Sequence, residues 1–161
     1  MTTKFRLTAV AALASAAMIG LTGAAIAAGG HEHERGAGTH ELTLNHGKKW
    51  ATDEPLRRGM SEIRALLAAQ DEAIHKGRLK PADYAALGAK IEGEVGAIVA
   101  NCKLEPAADA NLHLILEDVI EGADAMQGKA KGGTPRQGAG KVVTALNEYG
   151  RHFDHPGWKR F

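Results

Sequence analysis

Four side chains of this sequence carry soft or borderline ligand atoms where helices could bring them together: Met60, Cys102, His113 and His152. A thioether, a thiolate and two imidazoles suit Cu(I), Zn or a haem iron. Cys102 is the single cysteine. In an exported chain it has no internal disulfide partner, so it is a packed apolar residue, a link to a second copy in a homodimer, or a ligand. Four more histidines, His31, His33, His40 and His46, lie in a Gly-rich polar segment. Imidazoles on a pliant chain can wrap a Cu, Zn or Ni ion. Cleavage after Ala28 would leave Gly29-Gly30-His31 as the terminus. Its amine, two amide nitrogens and imidazole form a square-planar site for Cu(II) or Ni(II).

Each of these residues also has a plainer role. Met60 and Cys102 fall on apolar stripes, where Met and free Cys are common packing residues. His113 sits between Leu112 and Leu114, beside its helix stripe. His152 and His155 suit the negative end of a helix dipole. The arm can be a soluble tail with scattered histidines. Cys102 and His113 match no zinc signature, and C-x-x-C, H-E-x-x-H, G-x-S-x-G, P-loop and dinucleotide motifs are missing from the sequence. A Cys–His dyad would lack an orienting group and an oxyanion hole. The sequence therefore points to binding, not to an enzyme.

The N-terminus reads as a secretory signal over residues 1–28. Lys4 and Arg6 precede an Ala- and Leu-rich run that ends in Ala25-Ile26-Ala27, an A-x-A cleavage pattern. The same run is long enough to serve as a membrane anchor. The expectation is a periplasmic protein with no membrane contact after cleavage. Losing Lys4 and Arg6 takes the 20 basic residues to 18 against 19 acidic ones. That balance argues against nucleic acid, which asks for a basic face.

The elements that would position the ligands are helices. Residues 29–51 form a His-rich arm without apolar periodicity, expected to be disordered. A first helix is expected from Asp53 to His75, with Pro55 in its first turn and Leu56, Met60, Ile63, Leu67 and Ile74 on its stripe. A second starts at Pro81 and carries Tyr84, Leu87, Ile91, Val95 and Ile98 to Cys102. Gly88, Gly93 and Gly96 within it imply either a close neighbour or simple tolerance, at about 1 kcal/mol each relative to Ala. A third runs from Pro106 to Met126 with Leu112, Leu116, Val119 and Ala123, broadened by Ile115 and Ile120. The fourth has Thr134 as cap, Pro135 first and Gln137 closing a capping box, then Ala139, Val142, Leu146, Tyr149 and Phe153.

Short connections between helices of similar length favour antiparallel neighbours. The expected fold is all-α, an antiparallel up-down-up-down four-helix bundle over residues 52–161. In that topology Met60 and His113 lie roughly 10 Å below one end. Cys102 and His152 lie near the rim, and Trp50 and Trp158 could cap the same end.

The runs Leu56-Arg57-Arg58-Gly59-Met60-Ser61-Glu62-Ile63 and Asn147-Glu148-Tyr149-Gly150-Arg151-His152 give the chain a resemblance to the soluble periplasmic four-helix cytochromes. The b-type member is the nearer likeness, and it implies haem b between Met60 and His152, or His155. Cytochrome c′ is similar in architecture, but its C-x-x-C-H attachment has no counterpart here. Three functions follow as expectations. The first is a copper-binding protein with Cys102, His113, Met60 and His152 as ligands, the arm histidines passing ions to or from a metallochaperone-type partner. The second is a b-type haem electron carrier. The third is a ligand-free bundle with Trp50, Trp158 and the arm as its contact surface.

Overall fold

The structure is a computed structural model of the chain and describes residues 41–161. All of them belong to one compact unit, Gly38–Phe161. The expected signal segment, and His31, His33 and His40 of the expected arm, lie outside the described residues.

The described residues are all-α. They form α1 (Glu54–Ala68), α2 (Asp71–His75), α3 (Pro81–Asn101), α4 (Pro106–Met126) and α5 (Pro135–His152), with no named strand among them. Four of the helices have proline at their first or second position. There the missing N–H breaks no helical bond. Asp53 caps α1, its Oδ1 accepting from the Leu56 amide at 2.9 Å. Thr134 and Gln137 form the expected box on α5: Oγ1 accepts from the Gln137 amide at 3.2 Å and Oε1 accepts from the Thr134 amide at 2.7 Å.

The first expected helix is in fact two. α1 stops at Ala68, and α2 restarts after Ala69 and Gln70. No glycine or proline marks this break in the sequence. α2 is tied from outside by Arg136 at the start of α5, which donates to the His75 carbonyl at 3.2 Å, and locally Glu72 pairs with Lys76 and Arg78.

The apolar stripes meet in one core. Leu56, Met60, Ile63 and Leu67 of α1 pack with Ile91 and Ile98 of α3, Leu112, Ile115 and Val119 of α4, and Val142, Leu146 and Tyr149 of α5. α1 packs on α3 and α5, α3 on α4, α4 on α5, and α3 also reaches α5. Ile120, expected to widen the α4 stripe, is exposed. The closest approach brings α4 and α5 together at Gly122 and Gly138. A Cβ added to Gly138 would stand 2.5 Å from the Gly122 carbonyl oxygen.

The segment before α1 is a strap laid over the end of α5. It folds at Asn45–Lys48, a turn whose His46 and Gly47 take φ of 49° and 80°. The Trp50 amide then donates to the His152 carbonyl, and the Asp154 amide to the Trp50 carbonyl, each at 2.8 Å. Trp50 is thus shut into the core with its indole N–H on the Thr43 carbonyl at 2.7 Å. Its ring faces the core and not solvent, and that burial helps hold the strap down. Among the described residues no helix is long and apolar enough to cross a membrane.

Candidate functional site

The turn between α3 and α4 is held by one carboxylate. Asp53 caps α1 through Oδ1 and accepts the Lys103 amide through Oδ2 at 2.6 Å. This clamps the α3–α4 turn to the start of α1 and leaves Cys102 half-buried against the core. Burial pushes the Cys102 thiol up from its ordinary value, and the Asp53 and Asp109 carboxylates push it further. A thiol so placed stays protonated, the opposite of an activated nucleophile.

His113 lies one helical turn beyond Asp109. Its Nδ1 is 2.9 Å from the Asp109 carbonyl oxygen and 3.4 Å from the Asp109 carboxylate, and its side chain is 63% exposed. It therefore faces solvent. Met60 has no exposed surface and belongs to the packed core, so nothing outside can reach its sulfur without opening the helices. His46 is exposed at the tip of the strap turn.

His152 is better placed. Its side chain is only 15% exposed, and its Nδ1 lies 2.9 Å from the Glu148 carbonyl oxygen and 3.6 Å from the Glu148 carboxylate. It opens into a cleft of about 560 Å³ that Glu41 of the strap, Glu117 and Asp118 of α4, and Glu148 of α5 also line. Periodicity missed this cleft, because its carboxylates come from three separate segments. Thr43 pins the strap there: its amide donates to Asn111 Oδ1 at 2.7 Å, and Asn111 is the buried polar side chain of the core. Among the described residues no three His, Cys, Asp or Glu side chains are grouped to hold an ion. The structure does not gather Cys102, His113 and His152 into one set. The acidic cleft offers a partial site at most.

A second cluster lies on the other side of the α5 end. The tail after α5 turns back, with the Trp158 amide donating to the His155 carbonyl at 3.0 Å. The Trp158 ring packs edge-on against Tyr149, with centroids 4.8 Å apart. Its indole nitrogen would lie 2.5 Å from a Cβ at Gly150, so only glycine admits this contact. His155 Nδ1 is 3.0 Å from Tyr149 Oη, and its Nε2 is 3.4 Å from Ser61 Oγ. The ring thereby links the tail to α5 and α1. Burial lowers the His155 pKa, and Arg57 lowers it further. Burial also raises that of Tyr149 well above the usual phenol range. In the sequence the Asp154-His155-Pro156-Gly157-Trp158 ending is visible as a stop signal, without its partners.

No family model, no curated protein and no solved structure matches the chain.

Proposed function

We propose that this chain is an exported, periplasmic, non-enzymatic protein that binds a metal ion, copper, at the His152 cleft with help from its N-terminal histidines. In this reading α1, α3, α4 and α5 form an antiparallel up-down-up-down four-helix bundle, and the ion sits on its flank near one end. The observation that carries it is the cleft itself: a nearly buried imidazole among four carboxylates. Asp118 already pairs with Lys141 and Glu148 with Arg151, which leaves the exposed Glu41 and Glu117 as carboxylates without a cation among the described residues, free to share an ion with the imidazole. Glu41 lines the cleft, and His40 is its covalent neighbour. The described residues group no three ligands, and in this reading the remaining ligands come from outside them, with His40 the nearest candidate in the sequence. Imidazole with carboxylate accepts several divalent ions, and the order of affinities favours Cu(II) among them.

Met60, Cys102 and His113 contribute no ligand in this reading. Met60 is enclosed in apolar core, Cys102 is held as a thiol, and His113 bonds to its own helix. The haem reading asks more of the fold: an iron on Met60 sulfur would have to part α1 from the helices that bury it. A full chain stripped with EDTA and titrated with Cu(II) against a chelator of known affinity tests the proposal. His152→Ala should weaken binding about tenfold or more, the scale of one lost ligand or its support, while Cys102→Ala and His113→Ala leave it alone. Unchanged affinity in His152→Ala would sink the cleft. Loss in Cys102→Ala and His113→Ala instead would return the site to the α3–α4 turn.

A further inference from the structure

The cleft on the far side of the α5 end has the opposite chemistry. It measures about 440 Å³ and lies between the strap and the C-terminal tail, lined by Lys49, Arg151, His155, Trp158 and Arg160 over Gly150 and Gly157. No carboxylate lines it. Lys49 is fixed in place, its Nζ donating to the Gly150 carbonyl at 2.6 Å, which leaves two ammonium protons free. Arg151 pairs with Glu148 through Nη1, and its other guanidinium protons remain. Neither Lys49 nor Arg160 forms an ion pair among the described residues. The Trp158 indole N–H in the same wall is buried with no acceptor. Buried donors of this kind are rare and each costs free energy until an acceptor arrives.

Like charges held together by a fold repel, and a fold that positions them around a concave space gains from an anion. Lys49 anchored by its hydrogen bond, Arg151 anchored by Glu148 and the exposed Arg160, with a neutral imidazole beside them, match a dianion better than a single carboxylate. Arginine supplies a planar fork and lysine a point charge, the two modes in which proteins hold phosphate oxygens. We propose that this cleft binds a phosphate group, as inorganic phosphate or as the phosphate of a small monoester. This proposal does not rest on a metal at the His152 cleft and survives if that reading fails.

Trp158 is its built-in reporter. The indole N–H signals of the metal-free full chain are followed by ¹⁵N NMR during titration with sodium phosphate at pH 7. A Trp158→Phe variant assigns the signal. Sodium chloride at matched ionic strength is the control, and glycerol phosphate is a second arm. The expected result is a saturable shift of the Trp158 indole and of the Gly150 and Gly157 amides with phosphate alone. Lys49→Gln and Arg160→Gln, both on exposed residues, should each weaken it about fivefold or more, and Arg58→Gln on exposed α1 surface should not. Stronger binding of glycerol phosphate would assign the site to monoesters, and equal binding to the phosphate group itself. Shifts that fail to saturate, that chloride reproduces, or that Arg58→Gln reduces equally would overturn the proposal.

Discussion

Two pairs of glycines make opposite predictions from the same substitution. At the α4–α5 crossing, a Cβ at Gly122 would stand 2.6 Å from Val142 Cγ2 and 2.7 Å from the Gly138 oxygen. One at Gly138 would stand 2.5 Å from the Gly122 oxygen and 2.8 Å from the Met126 nitrogen. Three of these four neighbours are backbone atoms, which cannot rotate away, so alanine must push the helices apart. Overpacking of this kind costs about 1–3 kcal/mol. Against it stands the helix preference of Ala over Gly, about 1 kcal/mol. The net is a loss of up to about 2 kcal/mol. Gly93 and Gly96 lie on the exposed face of α3, with nothing within 4 Å of an added Cβ. There only the preference remains, and Gly93→Ala and Gly96→Ala should each stabilise by about 1 kcal/mol. Urea unfolding of the full chain, followed by far-UV circular dichroism, reads both signs as shifts in midpoint at constant slope. If Gly122→Ala and Gly96→Ala move the midpoint the same way by the same amount, α4 and α5 are not in backbone contact.

Asp53→Ala should destabilise by about 1–2 kcal/mol for the lost cap alone, and by more because the Lys103 amide loses its acceptor; Asp53→Asn should recover part of the loss in the same urea experiment. His155 should make stability fall in acid. Its folded pKa lies below the unfolded value near 6.5, so the unfolded chain takes the proton first. The His155 contribution is therefore full above 6.5 and is lost as pH falls towards the lowered folded value. Unfolding midpoints between pH 7.5 and 5 should show this drop, with His155→Gln flattening it; equal slopes in both proteins would refute it. Cys102 should react with a disulfide reagent at pH 8 more slowly than a free cysteine and at the ordinary rate in urea, with Asp109→Asn intermediate.

The helices were legible because their signals are local. Pro81, Pro106 and Pro135 mark starts, Thr134 and Gln137 name a cap pair, and apolar residues three or four apart name the buried face. The break after Ala68 was not legible, since ordinary helix formers span it and the ties that set α2 come from Arg136, more than sixty residues away. The ordering of the strap was hidden for the same reason. A polar stretch with scattered histidines reads as an arm until Asn111 and the His152 carbonyl are known to hold it. Among the glycines of α3, sequence offered close approach or tolerance, and both occur. Gly88 meets the Ala123 carbonyl oxygen, 2.7 Å from where its Cβ would stand, while Gly93 and Gly96 face open space. Candidate ligands were the least legible. Shared depth in a bundle does not fix the angle around each helix axis. His113 sits one residue from the buried Leu112, and that single step, about 100° of rotation, puts it in solvent.

The same 100° step divides the end of α5. Arg151 and His152 are neighbours in sequence, yet one lines a cleft rich in lysine and arginine and the other a cleft rich in carboxylates. Glu148 stands between them, paired with Arg151 and close to His152 Nδ1. Its carboxylate is thus shared by a guanidinium on one side and a candidate metal ligand on the other. Removing it should act on both sides at once. Glu148→Gln would leave Arg151 without its partner, adding an unpaired cation beside Lys49 and Arg160, and would take one acid from the His152 cleft. Phosphate affinity should rise while copper affinity falls, because one negative charge is removed from between sites for ions of opposite sign. A substitution that weakened both, or neither, would show that the two clefts do not share this carboxylate.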